Sequence, residues 1–210
     1  MISAAEANED TKFFTHHWTI TLPSHPTLKY IHTTISHLDP WLALLSDPTS
    51  HPYDEHSRTK TWDAAAISEF RETTSEIYIA SYTSFNALQM LIELNGEIVG
   101  AGNYSLLPTG WVNIGLLISE RARGRGLGKL SMKVLVQLGR RMGVEKLEAG
   151  TMKLNKPFQA LMASLNLPGK DEIIEAPGRG VVGEILYRIP ETVDWEDLDL
   201  KVEFGGLASE

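Results

Sequence analysis

Val112-Asn113-Ile114-Gly115-Leu116-Leu117-Ile118 is followed closely by Arg123-Gly124-Arg125-Gly126-Leu127-Gly128. The first run is rich in branched apolar residues and reads as a strand. The second is a basic, glycine-rich turn. From Leu127 to Met142, Leu127, Leu130, Val134, Leu135, Leu138 and Met142 recur at helical spacing, with Lys129, Lys133, Arg140 and Arg141 off that stripe. Strand, glycine turn and helix together make a phosphate grip. Glycine lets the backbone approach an anion and adopt positive φ. A helix start presents free N–H groups and a partial positive charge.

The spacing excludes two common phosphate motifs. A P-loop needs Gly-Lys-Ser or Gly-Lys-Thr, but Gly128-Lys129 is followed by Leu130. The dinucleotide fingerprint needs a third glycine where Lys129 or Ser131 stands. Charge agrees with a local anion site. The net charge is −8, yet the stretch from Arg121 to Lys146 carries +7 against −15 for the rest. One basic island in an acidic chain suits a discrete anionic ligand and argues against nucleic acid.

Upstream, Leu88–Leu94 and Glu97–Leu106 read as strands joined by Asn95-Gly96, a two-residue turn of type I′. Pro108-Thr109-Gly110 turns the chain into Trp111–Ile118, so three antiparallel strands lead into the glycine turn. Before them, Trp18–Leu22 reads as a strand, and Leu28–Ile35 fits strand or helix. Asp39-Pro40 caps a short helix, Trp41–Leu45, that Asp47-Pro48 stops. A polar loop covers Thr49 to about Ser57. Trp62 to about Thr73 reads as a helix, and Ile77–Tyr82 as a short strand or its extension.

Downstream, Gly143 suits the helix C′ position, and Val144–Thr151 reads as a strand. Asn155 caps a helix with Pro157 in its first turn and Phe158, Leu161, Met162 and Leu165 on its buried face. Asp171–Glu175 and Val181–Ile189 are further strands around Pro177-Gly178-Arg179-Gly180. Trp195, Leu198, Leu200 and Phe204 stud an acidic tail and suit docking on the body or on a partner. The expected organisation is a flexible lead over 1–11, one domain over 12–190 and an acidic tail over 191–210. Absence of cysteine excludes thiolate sites. With no signal-like N-terminus and no apolar run of about 18 residues, the expectation is a cytoplasmic protein without a membrane partner.

The turn Arg123-x-x-Gly126-x-Gly128, in this order of elements, resembles the acyl-CoA-binding signature of the Gcn5-related N-acetyltransferases (GNAT). The resemblance spans about Asp39 to Ile189. Glu148-Ala149-Gly150 and Asn155-Lys156-Pro157 are most similar to the branch of ribosomal-protein and amino-sugar acetyltransferases. It implies an α/β fold of α+β type. The expected sheet is mixed, mostly antiparallel, of about six to seven strands, flanked by helices and splayed at a bulge after the Leu116 strand. It implies acetyl-CoA as co-substrate and no metal. The amides of Arg123, Gly124, Arg125, Gly126, Leu127, Gly128 and Lys129 would hold the pyrophosphate. Leu116, Leu117 and Ile118 would pair with pantetheine as an added strand, with Asn155 and Phe158 beside the arm.

The implied activity is transfer of acetyl to a primary amine, on a small molecule or a protein N-terminus, by direct attack in a ternary complex. A homodimer is left open. The acid and base are open too. Many family members place tyrosine where Met162 stands, and some carry a carboxylate where Trp111, Val112 and Asn113 stand. Glu93 and Tyr104, on neighbouring strands, are the candidates. The competing expectation is a non-catalytic acyl-CoA-binding or interaction module of the same fold, with a nucleotide-phosphate binder as a third. Seven histidines at 16, 17, 25, 32, 37, 51 and 56 show no metalloenzyme spacing and suit surface or packing roles. The resemblance implies an acceptor pocket built partly from the first helices and their loop, where one of them, Tyr53 or Trp62 could reach it.

Overall fold

In the computed structural model, which describes residues 9–176 and 180–208, the Asn95-Gly96 turn anchors the architecture. Both residues take positive φ, 54° and 83°, as type I′ requires. They join β3 (Ala87–Leu94) to β4 (Glu97–Leu106), and β5 (Val112–Ile118) completes the antiparallel meander. β1 (His16–Leu22) and β2 (His25–His32) form a hairpin on its outer side. The ambiguous segment at 28–35 is therefore mostly strand, with Leu28 and Tyr30 buried. β6 (Leu147–Met152), β7 (Lys170–Ala176) and β8 (Gly180–Ile189) follow. Of the turn between β7 and β8, residues 177–179 lie outside the described residues, as do 1–8 of the expected lead.

The sheet order is β7-β8-β6-β5-β4-β3-β2-β1-β9, nine strands where six to seven were expected. The last, β9 (Lys201–Leu207), pairs with β1. Gln137 binds both backbone groups of Leu198, at 2.7 and 2.8 Å, and Trp195, Leu198, Leu200 and Phe204 pack on the core. The tail thus docks on the body. All pairings are antiparallel except β5 with β6, which is parallel and covers only Val112–Leu147 and Asn113–Glu148. β5 keeps regular register with β4 over its whole length. The expected bulge is absent from it, and the parting comes from β6 leaving its other edge.

The helices sit on the two faces. On one lies α5 (Leu127–Arg141), with Val134, Leu135 and Leu138 in the main core, beside α6 (Lys156–Ser164). On the other lie α2 (Leu38–Ser46), packed through Leu44 on Leu91 and Ala101, and α4 (Ala64–Ser84). α1 (Glu9–Thr15) buries Phe13 against Trp18 and Phe204. α4 runs through Ile77–Tyr82, so the strand reading of that segment fails. The segment has no glycine or proline, and its buried residues, Tyr78 and Ser81, are three apart. His37, not Asp39, is the N-cap of α2; Asp39 sits in the first turn. The loop after α2 holds a single turn, Pro48–Ser50, and α3 (Glu55–Thr59). β6 starts later than expected because residues 143–145 close α5. Gly143 has φ 75°, and the Arg140 guanidinium donates to the Val144 and Glu145 carbonyls.

Candidate acyl-CoA cleft

The signature turn presents an unbroken row of donors. The Arg123 amide donates to the Glu120 carbonyl, and the next amide with a backbone acceptor is that of Leu130, bonded to Gly126. The six amides of Gly124, Arg125, Gly126, Leu127, Gly128 and Lys129 have no protein acceptor among the described residues. Gly124 and Gly126 take φ of 76° and 80°, the left-handed region that turns the N–H groups outward together. A Cβ at Gly128 would stand 3.0 Å from Leu161, so this glycine also lets α6 close on α5. The fifteen-residue α5 adds its dipole to the cradle.

The row opens into a cleft of about 720 Å³. One wall is Gly115–Ile118 on β5, and the other is Gly150–Met152 on β6, with Glu184 from β8 behind it. Beyond Asn113 these β5 residues have no partner strand on the β6 side. The start of α6, with Asn155 and Phe158, closes one end. Asn155 accepts from the Phe158 amide and donates to Thr151 Oγ1 at 2.9 Å, so it caps the helix and lines the cleft together. The loop Ser50–Asp54 forms a rim. Arg123 holds that loop: its Nε donates to the Ile118 carbonyl and its Nη2 to the Ser50 carbonyl, both at 2.9 Å. The Ile118 carbonyl is therefore occupied by protein, which shortens the open β5 edge expected at 116–118. Arg125 and Leu127 have amides without a protein acceptor but do not line the cleft.

Neither candidate for proton transfer reaches this cleft. Glu93 pairs with Lys29 at 3.2 Å on the β2–β3 side. Tyr104 is buried, and its hydroxyl donates to the Leu135 carbonyl of α5 at 2.6 Å. Burial raises its pKa well above the usual phenol value. Met162 is fully buried in the core. Of the seven histidines only His51 lines the cleft. Burial pushes His51 below the usual imidazole range, against Asp54, Asp47 and the Leu45 carbonyl, while Arg123 pushes it further down. Among the described residues, no group of three or more His, Asp or Glu is placed to hold a metal ion.

On the β6–β8 side one carboxylate lines the slot, and a second stands at the last β5–β6 pair, where the slot begins. Glu184 lines it, with Oε2 2.8 Å from where a Cβ on Gly150 would stand. Glu148 sits opposite Asn113, where β5 and β6 part, and is 8% exposed. Burial raises its pKa, Arg188 lowers it, and Glu172 raises it again. Local sequence carries no signal for Glu184, because β8 pairing alone sets it opposite Met152.

A search of curated protein sequences finds no match. Solved structures share the fold. RimL, a ribosomal L7/L12 alpha-N-protein acetyltransferase in complex with coenzyme A, superposes with TM-score 0.63 at 15% identity, covering 80% of this chain and 97% of its own. Mycobacterium smegmatis RimJ in complex with CoA-disulfide gives 0.64 at 16%, covering 81% and 86%. The microcin C7 self-immunity acetyltransferase MccE, in complex with acetyl-CoA and AMP, gives 0.61 at 13%, covering 78% and 92%. The model of the acetyltransferase (GNAT) family matches residues 41–166. With that match over more than half its length, and with the amide cradle and parted strands in place, the chain belongs to the acetyltransferase (GNAT) family.

Proposed function

We propose that the protein is an N-acetyltransferase that takes acetyl from acetyl-CoA and passes it to a primary amine by direct attack in a ternary complex. The observation that carries this reading is the row of six unpartnered amides at the mouth of a slot between two parted strands. The residues fit the co-substrate. A diphosphate matches the cradle in charge and donor number, and the open β5 edge at Leu116 and Leu117 matches an amide-bearing arm. When bound, acetyl-CoA supplies the activated acyl carbon: the amine nitrogen bonds to it, the carbon–sulfur bond breaks, and the thiolate leaves.

The chain's own part is to remove a proton and to hold the amine. Glu184 takes the amine proton, since geometry ranks ahead of pKa for a base and Glu184 lines the slot. Glu148 and Asp54 add negative potential, which draws an ammonium-bearing acceptor towards the cleft. No tyrosine donates to sulfur at the Met162 position, so the thiolate takes its proton from solvent. The acceptor class is a small-molecule amine or a protein N-terminus, and the protein acts in the cytoplasm.

Gly126→Val tests the cradle. Valine at φ 80° is strained and pulls the amides from the ligand. The acetyl-CoA Kd rises at least about a hundredfold, the scale of several lost charge-assisted bonds, with the circular-dichroism spectrum retained. A normal Kd overturns the assignment of the turn. Glu184→Gln lowers kcat/KM by about 10²–10⁴ with acetyl-CoA affinity kept. The buried Met162 favours a second reading, a non-catalytic acyl-CoA-binding module. Thiol release across an amine panel separates the two, because the module binds acetyl-CoA and releases nothing.

A further inference from the structure

The slot offers a different chemistry on each face of the sheet. On one face stand α5 and α6 with the amide row, which suit the acyl donor. Leu147 and Ala149 of β6 turn into the main core on that face, so Glu148, Gly150 and Met152 turn to the other. Register sets Arg188, Leu186 and Glu184 of β8 beside them. Glu184 Oε2 lies 2.8 Å from where a Cβ on Gly150 would stand, so its carboxylate hangs over the residue next to Glu148 on this face. Glu148 is rooted two residues along the strand from Gly150, about 6.6 Å away. On the β5 side the Asn103 carboxamide fills the matching place over Gly115, and it carries no charge.

Glu148 is the anomaly of this face. It is 8% exposed, and among the described residues no hydrogen bond or ion pair reaches its carboxylate. The cation opposite it does not close on it. The Arg188 guanidinium lies over the Trp111 ring instead, 4.9 Å from the centroid. Lys170 is held by Glu172 at 2.9 Å. Burial disfavours the charge on Glu148 and raises its pKa, Arg188 lowers it, and Glu172 raises it. A buried carboxylate left bare is destabilising, and a cation with N–H donors relieves it. Its oxygens are not sealed from solvent as the Ser50 and Ser119 hydroxyls are. Glu148 belongs to the last β5–β6 pair, so a guest cation reaches it where the slot begins.

We propose that Glu148 binds a second cationic group of the acceptor, so that the enzyme selects amines that carry a further positive charge a few bonds from the reacting nitrogen. The reacting amine sits at Glu184, and the second charge sits on Glu148. The proposal rests on the acetyltransferase reading. It gives Glu148 the choice of acceptor and leaves proton removal to Glu184.

Two pairs of acceptors test it. 1,4-Diaminobutane is set against 4-aminobutan-1-ol, which replaces the second ammonium with a hydroxyl. Lysinamide is set against norleucinamide, which lacks the side-chain ammonium. The first pair represents a free diamine and the second a chain-terminal residue. In at least one pair the dicationic member has kcat/KM, counted per amine, at least about tenfold above its partner, the scale of a hydrogen bond to a charged group. Glu148→Gln keeps the shape and removes the charge. It brings that ratio within about threefold of unity, with the loss in the KM for the dication and the Kd for acetyl-CoA unchanged. A ratio near unity in both pairs, or a ratio that survives Glu148→Gln, overturns the proposal. The wild-type ratios alone can refute it, whether or not the variant folds. Should acetyl-CoA bind and no amine react, the enzymatic reading fails separately. The CoA-loaded protein is then titrated with the same amines by calorimetry. Tighter binding of a dication than of its partner, lost in Glu148→Gln, upholds the site, and equal binding within both pairs overturns it.

Discussion

Tyr104 shows how much one residue's role depends on which side of a strand it faces. As a strand tyrosine near the signature it is a candidate for the proton transfer. Its hydroxyl is instead sealed against the Leu135 carbonyl in the main core. Tyr104→Phe should therefore destabilise the fold by about 1 kcal/mol, read by urea denaturation, and leave acetyl transfer unchanged. Reduced kcat at unchanged stability would return Tyr104 to the chemistry. His32 gives a second residue-scale test. It stacks on Trp18, ring centroids 5.2 Å apart, and is 4% exposed. Its folded pKa, about 4, lies below the unfolded value of about 6.5. Stability from the neutral ring is complete above about pH 6.5 and is lost as pH falls towards about 4, to an extent of about 3 kcal/mol. In His32→Gln the acid-induced loss over that window should shrink by a similar amount. An unchanged pH profile would show that His32 is not the group responsible.

Elements were legible wherever a local rule acts. Asn95-Gly96 dictates its turn through positive φ, and Asn155 caps α6 as the run Asn-Lys-Pro suggests. Asn155→Ala should cost about 1 kcal/mol of stability. It should also weaken acetyl-CoA binding, because the same side chain positions Thr151 on the cleft wall. Stability loss with unchanged affinity would leave Asn155 as a cap only. Ile77–Tyr82 stayed open between strand and helix extension because Ile77 and Ile79, both exposed and two residues apart, blur the helical stripe; the extension holds. The parting of β5 and β6 belongs to this scale too. Two residue pairs join them before the strands part, while β6 keeps its pairing with β8 throughout, and that geometry opens the slot.

At the scale of the whole molecule, the nine-stranded sheet is closed at one edge by the last strand. β9 pairs with β1, and Phe204 packs on Phe13 with ring centroids 5.1 Å apart. A chain ended after Pro190 would uncover Phe13, Trp18 and the outer side of α5. Burying each large apolar side chain contributes about 1.5–3 kcal/mol. The truncated protein should therefore melt at least about 10 °C lower, with the cradle residues untouched. A Tm within about 2 °C of the full chain would make the tail an appendage.

What the residues determined by themselves is the donor row. Glycines at 124 and 126 ahead of an amphipathic helix, with Gly128 in its first turn, dictate outward amides through backbone geometry that acts within a few residues. The tertiary structure alone decided which side chains surround the slot. It brought Glu184 from β8, Ser50–Asp54 from the loop after α2, and Asn103 over Gly115. It turned Glu93 and Tyr104 away. Side chains alternate across a strand, so their surroundings follow from pairing register between distant segments. No local rule in the chain encodes that register.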